Sequence, residues 1–299
     1  MFRRSPGGQV TGRTKRAGSR RRVRAIGKIP ERALEMNDHW DRFLALWEEI
    51  LPPLRPAPST VRAFRDAAPP AGRDVLVLGV TPELAALGGR TTAVDRSRGM
   101  IDALWPEDGD DCRAVTADWR TLPLADGAVD VVYGDGAVNV LRFPEEVSAA
   151  LAEVRRVLAP AGRAVFRVYC TPHPPETLHE LARNARAGEP ENVFSLKWRL
   201  AMARVAERGR PSIEVPDLLE TFDATFPDRD ALAAATGFPL RLIDTVDLWR
   251  DSEEIFSFPV LDRAVEITGA HFDRVEVTGS GDYPLSDRCP LLVCRKGGG

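Results

Sequence analysis

A chain of 299 residues, 43% apolar and 28% charged, is long enough to fill a sizeable core and ordinary in composition for a globular protein. It has no run approaching the ~18 consecutive apolar residues of a membrane helix, and its N-terminus lacks the apolar centre of a secretory signal. Four scattered cysteines (Cys112, Cys170, Cys289, Cys294) form no CxxC pair, so a reducing compartment, the cytoplasm, is expected and no metal is.

The net charge of −3 conceals an asymmetry: residues 1–28 hold ten Lys/Arg and no acid, leaving 31 basic against 44 acidic residues in the remainder. That remainder does not attract nucleic acid, so such a partner is expected only through the tail, and no membrane partner is expected. Residues 1–30 read as a disordered basic extension, or as an untranslated stretch ahead of a start at Met36, with a nucleic-acid arm or a transit-like segment as the alternatives. From Glu31 to Leu51, Trp40, Phe43, Leu44, Leu46, Trp47 and Ile50 recur at helical spacing, and Pro52-Pro53 ends the run. Ser59 is placed to cap a second helix, STVRAFRDAA, so residues 31–70 read as N-terminal helices.

Strands and helices then alternate. DVLVLGV is a strand and PELAALG a short helix; TTAVD is a strand and SRGMIDALW a helix. CRAVTAD and AVDVVYGD are strands, PEEVSAALAEVRRVL is a long helix, and RAVFRVY is the fifth strand. This rhythm predicts an α/β fold, a doubly wound, mostly parallel sheet with helices on both faces. Residues 171–270 break it with ETLHELARNARAG, FSLKWRLAMARVAERG, DLLETFDATF and RDALAAATG, a mainly helical insertion within a 71–299 domain; 239–259 stays ambiguous between strand and loop. FDRVEVTG and PLLVCRK close the chain as an antiparallel pair at one sheet edge.

Ligands of such sheets sit at the carboxyl ends of the strands. After Gly79 the first strand turns through Val80, Thr81, Pro82 and Glu83. Pro82 has no N–H and Glu83 adds a carboxylate, so the turn repels a pyrophosphate and disfavours NAD or ATP. Thr81 as N-cap with Pro82 at N1 still makes a good helix start. A nucleoside without phosphates fits, and S-adenosylmethionine is one, its ammonium matching Glu83. Asp95, sixteen residues beyond Gly79, ends the second strand where an acid accepts ribose hydroxyls. Asp118 and Trp119 end the third and suit an adenine amino group and ring. Tyr133-Gly134-Asp135-Gly136 ends the fourth, its glycines admitting a ligand to the backbone, although each of these features also suits an ordinary cap, core aromatic or turn.

Together VLVLGVTPELA, TTAVDRSRGMI, VTADWRTLPLADGAVDVV and EVRRVLAPAGRAVF resemble the class I S-adenosylmethionine-dependent methyltransferases, with their VLDLGCGTG, VDxSxxMI, GDxxxLPFxDxxFDxV and RVLKPGGxxVF segments. The resemblance covers about residues 70–170. It departs at Val77, where the family often has an acid, and at Thr81 and Glu83, where it often has glycines. It implies that Gly79 and Thr81 line the cofactor's amino-acid end, that Asp95 holds the ribose and that Met100 packs near the adenosyl group, with Val80 and Arg96 also among the cofactor-binding residues. It further implies that Asp118 and Trp119 bind adenine, that Asp135 lies near the methyl with Gly134 beside it among the cofactor-binding residues, and that the terminal strand pair resembles the fold's reversed last strand.

The expected activity is direct in-line methyl transfer to a small molecule, with the helical insertion as a lid. Trp198, Arg199, Met202, Trp249 and Phe256 are placed either to line it or to form its core. The alternatives are a silent S-adenosylmethionine-binding protein, or an RNA or protein methyltransferase docked by the basic arm. A base is needed only for a protonated oxygen or nitrogen acceptor. Asp135 is the positional choice, with His173 in CTPHPPE and His39 in the N-terminal helix as the other candidates.

Overall fold

The computed structural model describes residue 44, residues 46–105 and residues 108–297. The basic tail, most of the first expected helix and His39 lie outside them. Helix α1 (Pro58–Ala67) starts with Pro58, whose fixed φ suits the first turn, and turns Thr60 and Phe64 inward. Phe64 meets Tyr133 edge-on at 5.6 Å, and the Tyr133 hydroxyl donates to the Ala68 carbonyl, pinning the helix end to the sheet.

The alternating region follows as β1 (Asp74–Leu78), α2 (Pro82–Ala85), β2 (Arg90–Asp95), α3 (Arg98–Leu104), β3 (Cys112–Thr116), β4 (Val129–Asp135), α4 (Glu145–Val157) and β5 (Leu158–Arg167). The central strands are apolar on both faces because helices cover both. In α4, Val147, Leu151 and Val154 recur one turn apart and face the sheet, each contributing roughly 1.5–3 kcal/mol by burial.

The helical segment comprises α5 (Leu178–Arg186), α6 (Val193–Arg208), β6 (Ser212–Glu214), α7 (Val215–Thr225), α8 (Arg229–Thr236), α9 (Leu240–Ile243), β7 (Ile255–Ser257) and α10 (Leu261–Gly269). Capping boxes Thr177/Glu180 and Asn192/Ser195 start α5 and α6, and Gly209, with φ +66°, ends α6. The stretch left open in sequence resolves into α9, a 3-10 turn (Asp244–Trp249) and β7, which pairs with β6. Trp249, Leu218, Phe222 and Leu200 belong to a core built mainly by this segment, to which Leu46, Ile50, Tyr169 and Tyr283 also contribute.

Strands β8 (Arg274–Thr278) and β9 (Leu291–Arg295) complete a seven-stranded sheet of order β3-β2-β1-β4-β5-β9-β8. Only β9 is reversed; it lies inside the sheet, antiparallel to both β5 and β8. The four cysteines are free thiols. No helix among the described residues is long and apolar enough to cross a membrane. Strand order reverses between β1 and β4, whose carboxyl ends lie side by side, Leu78 opposite Gly134. The register also sets Leu78 opposite Val94 and Asp95 opposite Thr116, so four strand ends meet at one crevice.

Candidate active site

A cavity of about 210 Å³ opens at that crevice. On the sheet side its lining includes Gly79, Val80, Thr81, Asp95, Arg96, Met100, Asp118, Trp119 and Asp135. The register explains the convergence: residues far apart in sequence sit at or just beyond the last paired positions of adjacent parallel strands.

Gly79 has φ +90°, a conformation that disfavours a side chain, and its N–H donates to the Val94 carbonyl at 2.8 Å. A Cβ there would stand 3.6 Å from Trp119 Cζ2 and 3.7 Å from Asp95 Oδ2, so the glycine, the indole and the carboxylate bound one cradle. The Trp119 indole donates to the same Val94 carbonyl at 2.6 Å, which fixes its plane beside the turn. Asp95 Oδ1 accepts from the Ser97 backbone N–H at 2.8 Å, while Ser97 caps α3 by accepting from Met100. Asp118 caps the 3-10 turn Trp119–Thr121. The Arg120 guanidinium, bonded to Asp118 at 2.6 Å, holds that carboxyl below the usual carboxylate range.

Asp135 is different. Its side chain is 3% exposed and forms a two-pronged ion pair with Arg167, which is fully buried; the second contact measures 2.9 Å. Burial pushes the Asp135 carboxyl up, and the neighbouring guanidinium opposes the rise. Arg167 also donates to the Tyr169 hydroxyl at 3.1 Å, and Tyr169 donates to the Pro53 carbonyl at 2.9 Å. The carboxylate expected as a base is thus the partner of a buried cation.

Other expected positions are engaged with the protein itself or lie outside the lining. Glu83 does not line the cavity; it pairs with Arg55, which lies over Trp47, and its Oε2 is buried with no hydrogen-bond partner among the described residues. Gly134 is absent from the lining because its bare face makes room for Phe166, 2.8 Å from where a Cβ would stand. Arg96 reaches across to pair with Glu254 of the helical segment. His173 is exposed and outside the lining, because Thr171 docks on Phe258 and Val260 and directs the chain outward. Arg199 instead pairs with Glu176, and Met202 is buried in the segment's core.

The opposite wall is aromatic. Trp198, Trp249 and Phe256 line it as one sequence reading allows, joined by Phe194, Phe258, Tyr169 and Trp47. Trp198 meets Tyr169, Phe256 and Phe258 edge-on at 5.6, 5.3 and 5.4 Å. Among these rings stands Lys197, which sequence reasoning missed. A signal existed: Phe194 three residues before it and Ala201 four after are apolar, so the lysine shares their inward face. Its Nζ donates to the Leu242 carbonyl at 3.2 Å and to the Thr245 hydroxyl. Burial, aided by Arg229, pushes the ammonium down to about 7, against the pull of Asp247 and Asp244.

Residues 78–166 match the family model described as a methyltransferase domain. Over 69 residues, 23% of this chain, the sequence is 39% identical to a malonyl-[acyl-carrier protein] O-methyltransferase of Halorhodospira halophila, of which it covers 21%. Among solved structures, the CcbJ methyltransferase of Streptomyces caelestis superposes with TM-score 0.50 at 14% identity, over 88% of this chain and 99% of that one. A protein of Rhodobacter sphaeroides described as a putative Zn-dependent alcohol dehydrogenase gives 0.54 at 15% identity, over 91% and 100%. At such identities the structural likenesses speak for the fold alone.

Proposed function

We propose, from the match of residues 78–166 to a methyltransferase domain, that this chain is a class I S-adenosylmethionine-dependent methyltransferase and that it methylates a small molecule held between the strand ends and the helical segment. The observation that carries the reading is the shared cavity: one hollow is bounded by Gly79, Asp95 and Trp119 on one side and by Trp198, Trp249 and Phe256 on the other.

The residues fit the cofactor. The Gly79 cradle admits a ligand to the backbone, and the Asp95 carboxylate beside it suits vicinal ribose hydroxyls. Asp118 and Trp119 offer an acceptor and a flat apolar face to adenine, and Glu83 holds one unspent carboxylate oxygen behind the turn. When bound, S-adenosylmethionine supplies a methyl group already activated by its sulfonium. The protein's work is then to align the acceptor and exclude water, for which the aromatic wall is suited. Asp135, bound to Arg167, serves as the charged floor under the β4 turn rather than as a base, and Gly136 continues that turn by donating to the Arg167 carbonyl.

Calorimetric titration with S-adenosylmethionine, S-adenosylhomocysteine, NAD and ATP tests the reading. Binding of the first two and not the last two is expected; the reverse preference sinks it. Removing residues 1–30 leaves methylation of a small acceptor unchanged, whereas an enzyme docked by its basic arm would lose activity in a salt-dependent way.

A further inference from the structure

Resting on that reading, we propose that the aromatic end of the cavity is the acceptor subsite, that it takes a flat, ring-bearing molecule with an acidic hydroxyl, and that Lys197 receives the hydroxyl proton. Three observations lead there. Phe194, Trp198, Trp249, Phe256 and Phe258 line the cavity together, with Trp198, Phe256 and Phe258 turned edge to face, a surface that recognises a planar apolar solute. Tyr169 bridges this cage to the β4 turn: its ring meets Trp198 edge-on at 5.6 Å, and its Cε2 lies 2.9 Å from where a Cβ on Gly136 would stand. The cage is therefore continuous with the strand ends that suit the cofactor.

The third observation is the amine. Lys197 is 3% exposed, lines the cavity, and has no carboxylate within ion-pair distance among the described residues. Its Nζ lies 5.6 Å from the Phe194 ring centre and 5.5 Å from that of Trp249. A neutral amine has two N–H bonds, and two acceptors are already engaged, the Leu242 carbonyl and the Thr245 hydroxyl. The Thr245 hydroxyl itself donates to Leu242, so it must accept from Nζ. In that state the nitrogen lone pair is the unspent valence. The charges facing the amine are Arg229, Asp244 and Asp247, and Arg229 pairs with both aspartates, leaving them occupied with each other. Desolvation brings the amine's affinity for a proton close to neutrality, where a base exchanges protons with an acidic hydroxyl. In the transfer the O–H bond breaks, the oxygen keeps its electron pair as the nucleophilic anion, and the proton takes the Nζ lone pair.

The test uses 7-hydroxycoumarin, whose neutral and anionic forms absorb at different wavelengths, titrated into the full chain at pH 7 with and without S-adenosylhomocysteine. Tryptophan quenching reports binding and the coumarin spectrum reports ionisation. In the wild type the bound probe's ionisation constant should rise at least tenfold over the free value. Lys197→Met should bind the probe without that rise. Absent binding by the wild type, a bound probe with unshifted ionisation, or the same shift in Lys197→Met would each overturn the proposal. If Lys197→Met does not fold, Thr245→Val, which removes one acceptor of Nζ, must change the bound probe's ionisation; an unchanged value overturns the idea. Reading the probe without cofactor product separates this outcome from a failure of cofactor binding.

Discussion

The two walls of the cavity are made by different physics. On the sheet side, the carboxylates of Asp95, Asp118 and Asp135 sit where parallel strands end, each already engaged by a backbone N–H or a guanidinium. Backbone register fixes their spacing, and no single substitution moves it. On the helical side the surface is rings and one amine, set by how α6 packs on the 3-10 turn and β7. Exchanging a ring there re-cuts the cavity with the sheet left alone. Such a division suits a constant ligand on one wall and a selected one on the other.

The comparison breaks most readily at Asp135. Asp135→Ala leaves Arg167 buried without its partner and should cost about 3–5 kcal/mol, read from urea unfolding. A loss well under that range would mean that the sheet-side charges are not held as tightly as the structure shows.

Next comes a pH dependence belonging to the other wall. The folded Lys197 holds its proton less tightly than the unfolded chain, about 7 against an ordinary 10.5. Between those values the unfolded state binds more protons, so stability rises as pH rises through that window. Below about 7 both states are protonated and the full penalty of burying the ammonium remains. The rise should be on the order of a few kcal/mol, and Lys197→Met should flatten it in urea midpoints measured across pH.

Asp95→Ala sharpens the division from the sheet side. Cofactor affinity should fall by roughly 1.5–3 kcal/mol in calorimetry, because hydrogen bonds to a charged acceptor are lost. Folding stability should change far less than in Asp135→Ala. Smallest of all, His173→Ala belongs to neither wall and should shift stability by no more than about 0.5 kcal/mol, with cofactor affinity unchanged.

The strand ends were legible because apolar runs locate each strand and the last apolar residue locates its end; Gly79, Asp95 and Asp118 then follow from the topology of a parallel sheet. What each side chain is bonded to was not legible. Glu83 meets Arg55 across 28 positions, and Asp135 meets Arg167 across 32, through pairings only the folded chain makes. Gly134 looked like a ligand approach in a Gly-Asp-Gly turn, whereas packing against Phe166 accounts for it. Lys197 sat in the open within FSLKWRLAM, a helical segment in which the neighbours on its own face, Val193, Phe194, Leu200 and Ala201, are all apolar. The stretch 239–259 defeated periodicity because its helical turns are short and β7 is three residues long.

The position of β9 governs how this molecule can be made. The strand filling the gap between β5 and β8 is translated after the entire helical segment, so the nascent sheet waits with one flank of β5 open. During that interval the emerging polypeptide presents an unpaired apolar edge, the kind of surface that chaperones shield and that other chains capture. Productive biogenesis therefore depends on finishing synthesis before that flank finds a wrong neighbour.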